Sequence, residues 1–480
     1  MTRATTGPTF AERVAAATAA DRDRFIDAVR AGSLLVVVLG HWLMATVTVD
    51  DGRVEGGNAL TAVPALQPAT WVLQVMPLFF IAGGFSNLTV WRGLRLRGAG
   101  YPTYLQGRLV RLLRPTLVFV LFWQLALPVA AALGLPQDRL DLISLLLGQP
   151  LWFLGVYVAT TALAPAMLRW HERSAVPPLL VLAAGAVVVD WFRFWRGMEN
   201  VGYLNLALVW LFAQQLGFWY AEGRFAAWRR ATLWAVLGGC VLALTLLTTL
   251  GPYPVSMVGL PGETSNMTPP TVCLLVLAVG QLAAALLLRP RLSSTLQRPR
   301  AWAAVVRFGA MAMTTYLWHL SVLVLAYVAL ISAGVTLPAA GTGLWWATRP
   351  FWLLGLAAVT TALATALAPL ERGRAPRRPA MLPVGGAPGR APGIPAPAWP
   401  RMVAGLGGAL ASFGLLGYVA SGLAPSAFAS STLLFVPVDP VTNTVCVVLG
   451  LVLTTLASRH AATGHASARV SGPGRSGNAG

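Results

Sequence analysis

Residues 27–45 read DAVRAGSLLVVVLGHWLMA, with Arg30 and His41 bracketing ten apolar or small residues. The run is long enough for a membrane-spanning helix, and an eleven-residue step in a helix makes three turns with only about 20° left over. Arg30 and His41 therefore share one helix face, about 16 Å of rise apart. That spacing puts one group near a membrane surface and the other near the middle of the bilayer. Ionisable residues inside a spanning helix are costly and face a protein interior or a wet cavity, which makes this pair a candidate functional site. The plainer alternative is that both only pair with neighbouring helices.

Working outward, the remainder has the same texture. Of 480 residues 56% are hydrophobic and only 11% charged, with 18 Trp and 18 Phe, a composition outside the soluble globular range. Windows of about 20 apolar residues place spans near 28–49, 68–90, 115–134, 150–168, 177–195, 203–221, 231–250, 270–288, 311–333, 350–370, 402–424 and 441–458. The expected fold class is all-α, a polytopic transmembrane helix bundle. Charge tests the count independently. All 35 basic residues are Arg, and with both termini cytosolic only Arg53, Arg139, Arg193, Arg196 and Arg349 fall outside, the asymmetry of the positive-inside rule. This topology and anionic lipid explain the net charge of +19 better than nucleic acid does, and no nucleic-acid partner is expected.

The N-terminal segment 1–27 is polar or weakly apolar and the first span is too long for the apolar core of a cleavable signal, so it reads as an uncleaved anchor. Cys240, Cys273 and Cys446 lie in apolar stretches without CxxC spacing, so no disulfide framework or metal site is expected. Residues 371–401, rich in Pro, Gly and Arg, read as a cytosolic linker after a ten-span unit at 28–370. Two further spans follow at 402–458, the first crowded with small residues (GLGGALASFGLLGYVASG, 405–422) that permit close helix contact. A disordered cytosolic tail is expected over 459–480.

Chemistry concentrates in few places. In GRLVRLLRP (107–115), Arg108, Arg111 and Arg114 recur every three residues before the third span, and guanidinium groups suit bidentate contact with phosphate. They lie on the same side of the membrane as Arg30, so an anionic, nucleotide-like ligand fits them; ordinary positive-inside decoration is the alternative. His41, about two-thirds along its helix, suits a general base acting on a hydroxyl. His319, in MTTYLWHLSV (313–322), is the other intramembrane histidine, with a structural and a supporting catalytic role both open. His171, His460 and His465 fall in loops or the tail and read as unspecific. Gly83 and Gly84 in VMPLFFIAGGFSN (75–87) permit close approach of a ligand or a backbone, and the long, nearly uncharged loop at 251–270 suits a lid or an acceptor-binding surface. The triplet Asn266-Met267-Thr268 carries little weight as a glycosylation signal.

The ordered blocks RFIDAVRAGSLLVVVLGHW, MPLFFIAGGFSN, RLVRLLRP, PLWFLGVYV and TTYLWHL resemble the acyltransferase 3 family of membrane acyltransferases over roughly residues 20–370. The resemblance implies a ten-helix acyltransferase core, to which two C-terminal helices are added here. It also implies transfer of an acyl group from a cytosolic acyl-CoA or similar thioester, with no bound cofactor, to a hydroxyl of a glycan, lipid or secreted metabolite. In that picture His41 is the base, and Arg30, Arg108 and Arg111 hold the donor's phosphates or help polarise the thioester. The implied location is the cell membrane. A twelve-helix secondary transporter, with Arg30 and His41 as substrate and proton sites, is the competing reading; no repeat between the two halves supports it. A structural partner in an envelope-synthesis complex is a third.

Overall fold

A computed structural model describes residues 8–50, 53–372, 398–424, 431–433 and 436–470. Twelve helices among them are long and apolar enough to cross a membrane, the number that hydropathy predicts. A short helix α1 (Phe10–Ala16) precedes α2 (Arg24–Met44), whose first turn is closed by Asp23 accepting from the Ile26 amide at 3.1 Å. Hydropathy carries the first span to residue 49, but the helix ends at Met44. The alternating β-branched stretch that follows forms β1 (Ala45–Asp50), paired antiparallel with β2 (Arg53–Asn58) in the register Ala45↔Asn58 to Asp50↔Arg53. His41 thus sits in the last turn of its helix rather than two-thirds along it.

Two single turns, α3 (Ala59–Ala62) and α4 (Thr70–Leu73), lead to α5 (Met76–Leu96), which starts where Pro77 tolerates the missing amide hydrogen bond. Helices α6 (Tyr101–Ala132), α7 (Gln137–Gly148), α8 (Leu151–Arg173), α9 (Val176–Arg196) and α10 (Asn205–Ala221) follow. Next come α11 (Arg230–Leu250), α12 (Val272–Leu296), α13 (Pro299–Ser332) and α14 (Gly343–Arg372). Helices α5 and α10 meet backbone to backbone. A Cβ on Gly84 would collide with the Gln214 carbonyl oxygen, and one on Gly217 with the Ile81 carbonyl oxygen. Phe80 stacks on Trp210 beside this crossing, ring centroids 4.5 Å apart.

The loop at 251–271 is not a free lid. Trp71 and Gln74 donate to the Val255 and Met257 carbonyls at 2.8 and 3.2 Å, and Arg193 donates to those of Ser265 and Pro269. Asn266 is fully buried with its amide on the Pro254 and Ser256 carbonyls, which removes it as a glycan acceptor in the folded chain.

The C-terminal helices α15 (Trp399–Ser421) and α16 (Pro440–Val470) are joined through two short strands, β3 (Ser431–Leu433) and β4 (Val436–Val438), and dock into the same body. Gly407 and Gly450 bring α15 and α16 into backbone contact, and Gly155 of α8 admits Leu416. Ser412 donates to the Gly155 carbonyl at 2.8 Å, while Gln124 of α6 donates to Thr444 and to the Pro440 carbonyl, both at 2.9 Å. Helix α16 continues to Val470, past the span end expected at residue 458. The expected linker lies mostly outside the described residues, as does the end of the tail.

Candidate active site

Helices α2 and α13 pack through Val38, Trp42, Leu320 and Leu323, all buried, and this packing brings His41 against His319. The rings lie nearly parallel, 11° apart with centroids at 5.0 Å, and His41 Nδ1 stands 2.7 Å from His319 Nε2. Trp42 Nε1 donates to the His319 carbonyl at 3.0 Å, fixing the two helices in register. His319 is fully buried and His41 only partly so.

The other nitrogen of His319 settles the direction of the bond. His319 Nδ1 faces the Tyr316 carbonyl at 2.5 Å, an oxygen that only accepts, so Nδ1 carries a proton. With both rings neutral, His319 Nε2 is then bare and accepts from His41 Nδ1–H. His41 Nε2 is left with its lone pair free. This tautomer is assigned from the partners, and it makes His41 the proton acceptor of the pair.

The other sequence blocks of the resemblance assemble behind this pair. Tyr316 donates to the Pro150 carbonyl at 2.8 Å at the start of α8 and meets Phe153 edge to face at 5.3 Å. Phe153 in turn contacts Phe79 and Phe80 of α5. One aromatic wall therefore runs from His319 to the glycine crossing of α5 and α10.

Arg30 is not brought to His41. It is half exposed in the second turn of α2, 3.2 Å from Asp27, which also binds Arg22 at 2.7 Å. The three arginines of α6 part company because each three-residue step turns the helix only 300°, fanning them across about 120°. Arg108 turns inward and donates to Ser86 Oγ and Asn87 Oδ1 of α5, both at 2.9 Å, with its buried Nε lacking a partner among the described residues. Arg111 and Arg114 are exposed. Arg114 lines a hollow of about 350 Å³ with Gln106, Thr455, Ser458 and Arg459, between α6 and α16.

His171, expected in a loop, instead lies buried in the last turn of α8. Its ring nitrogens face Gln215 Oε1 at 3.0 Å and Glu222 Oε2 at 3.1 Å. Glu222 also accepts from Arg92 at 2.8 Å and Arg224 at 3.0 Å. Partial burial alone would push its carboxyl up, but the hydrogen bonds from Arg92, His171 and Arg224 hold it down to about 2. Nothing in the spacing of these residues signals the cluster, because its members come from three helix ends. His460 meets the Trp399 ring.

Fold and site together define a polytopic helical membrane protein with a paired-imidazole centre walled by aromatic side chains. A family model described as an acyltransferase domain matches residues 23–368. The chain belongs to this acyltransferase 3 family, and is a multi-pass membrane acyltransferase. No curated protein and no solved structure matches it.

Proposed function

We propose that this protein is an O-acyltransferase of the cell membrane, with both termini cytosolic. It moves an acyl group from a cytosolic acyl-CoA or similar thioester to a hydroxyl of a glycan, lipid or secreted metabolite. The observation that carries the reading is the His41–His319 pair, whose hydrogen bonds leave His41 Nε2 unprotonated.

The chemistry follows from that nitrogen. His41 Nε2 takes the proton of the acceptor hydroxyl as its oxygen attacks the thioester carbonyl carbon. The tetrahedral intermediate collapses, the carbon–sulfur bond breaks, and the departing thiolate takes the proton back from His41. While His41 is charged, its Nδ1–H bond to His319 becomes charge-assisted and strengthens, so His319 acts as a positioning residue that holds tautomer and ring plane. Exposed Arg111 is the group best suited to the donor's phosphates, with Arg108, bonded to Ser86 and Asn87, adding charge at the same end. Arg30, at the same end of the bundle, contributes charge there rather than at the reacting carbon.

The test is mass spectrometry of envelope glycans, lipids and secreted metabolites from cells carrying the wild-type chain, a deletion, or His41→Ala, at matched membrane levels. An acyl-sized mass present only with wild type is expected. Full acylation by His41→Ala refutes the role of His41, and no acyl difference in the deletion refutes the transferase reading altogether.

A further inference from the structure

Arg349 is a buried cation with no carboxylate partner among the described residues. It lies in the second turn of α14, at the end opposite the Arg-rich loops, and is only 8% exposed. Its Nε reaches the Trp345 carbonyl at 3.3 Å, and its guanidinium is flanked by the Trp345 and Trp352 rings at 4.6 and 5.5 Å and lies beside the Tyr327 hydroxyl. Its Nη1 is enclosed and has no hydrogen-bond partner, and no carboxylate pairs with it among the described residues. A buried guanidinium without a counter-charge is costly, and aromatic faces offset only part of that cost.

The surroundings tie this group to the candidate active site. Trp352 Nε1 donates to the Trp42 carbonyl at 3.2 Å and Tyr327 donates to the Ala45 carbonyl at 2.9 Å. Both clamp α14 and α13 to the last turn of α2, the turn that carries His41. Arg349 precedes Trp352 by three residues, about 4.5 Å of helix rise toward the opposite face. A molecule with its hydroxyl at His41 Nε2 and its body extending away from the Arg-rich end would reach toward this guanidinium.

We propose that Arg349 binds an oxyanion, a phosphate or carboxylate, on the acceptor, making this chain selective for acidic acceptors; the assignment rests on the acyl-transfer reading above. The shared chemistry also admits the phosphate of a lipid head group, and purely structural stacking between the two tryptophans is the remaining possibility. The test therefore has two arms. In the first, the purified full chain in detergent is unfolded thermally with millimolar glucose, glucose 6-phosphate or glucuronate, or with added phosphatidylglycerol. Wild type is expected to gain several degrees with the two sugar anions and none with glucose, and Arg349→Gln to lose the gain. Equal behaviour of wild type and Arg349→Gln overturns the site. A shift with phosphatidylglycerol alone overturns the acceptor assignment in favour of a lipid head group.

In the second arm, acylated species from cells are sorted by charge. The wild-type product is expected to be acidic, and to fall roughly tenfold or more in Arg349→Gln, while Arg349→Lys retains part of it, since a charged hydrogen bond contributes enough for such a change. A neutral product made at wild-type level by Arg349→Gln overturns the inference while leaving acyl transfer standing. Absence of any acylated product refutes the transferase reading, and the thermal arm still reads the anion site.

Discussion

Replacing His319 tests whether the two imidazoles act as a unit. With both rings neutral, the 2.7 Å bond is worth about 1 kcal/mol net, and once His41 has taken a proton the same bond to a charged donor is worth roughly 1.5–3 kcal/mol. Only the difference lowers the barrier, because binding that is equal in ground and transition states does not speed chemistry. A differential of about 0.5–2 kcal/mol corresponds to roughly a 2–30-fold loss of rate for His319→Ala. Removing the base itself, in His41→Ala, is expected to cost about 10²–10⁴. In the double variant the loss should equal that of His41→Ala alone, since a positioning residue has nothing left to position. The assay is the initial rate at which the acylated product accumulates, read by mass spectrometry at matched protein level. His319→Gln, which keeps an acceptor oxygen near the former Nε2 position, should recover part of the rate, and thermal unfolding of each variant separates misfolding from mechanism. Wild-type rate in His319→Ala refutes the reasoning, as does a further tenfold loss when His319→Ala is added to His41→Ala.

At the Arg-rich end, Arg111→Ala should raise the donor KM about tenfold with kcat little changed, as expected when one charged interaction is removed equally from the ground and transition states. Arg108→Ala should lower thermal stability as well, because it also breaks the bonds to Ser86 and Asn87. Gly84→Ala forces a methyl group onto the Gln214 backbone oxygen, where no side chain can give way, and is expected to destabilise by about 3 kcal/mol or more in denaturant unfolding. Glu222 has a folded-state value of about 2, below its usual 4.5, so its stabilising contribution is complete above about pH 4.5 and lost as pH falls toward 2. Wild type should therefore lose more thermal stability than Glu222→Gln between pH 5 and pH 2, and parallel curves would show that the cluster contributes nothing.

The helices are legible because their signal is local: length and apolarity alone give twelve spans. What departs from that reading is also local in cause. Thr46 to Val49 are apolar enough to extend a hydropathy window, yet their alternating β-branched pattern and the pairing partner at Arg53–Asn58 turn them into a strand. At the site, the sequence exposes His41 and His319 separately, as intramembrane imidazoles. Their pairing spans 278 residues and depends on which faces of α2 and α13 meet, which no spacing rule contains. His171 escapes a spacing rule for the same reason: its partners Gln215 and Glu222 reach it from another helix.

The cations of this chain sort by whether the protein itself neutralises them. Near the Arg-rich end, Arg22 and Arg30 share Asp27, Arg92 and Arg95 meet Glu172, and Glu222 gathers Arg92, Arg224 and His171. These groups hold helix ends together, with the three carboxylates offsetting part of the charge of the five arginines. Among the described residues Arg24, Arg108, Arg111 and Arg114 at that end, and Arg196 and Arg349 at the other, are among those with no such carboxylate, and of these six only Arg349 is buried. Arg111 and Arg114 are exposed, and on the proposed reaction Arg111 meets the donor's phosphates at the surface. A buried guanidinium without a carboxylate costs stability, and on the proposed reaction the acceptor's oxyanion offsets that cost at Arg349. On the proposed reaction Arg111 and Arg349 lie on either side of His41, one toward the donor and one toward the acceptor.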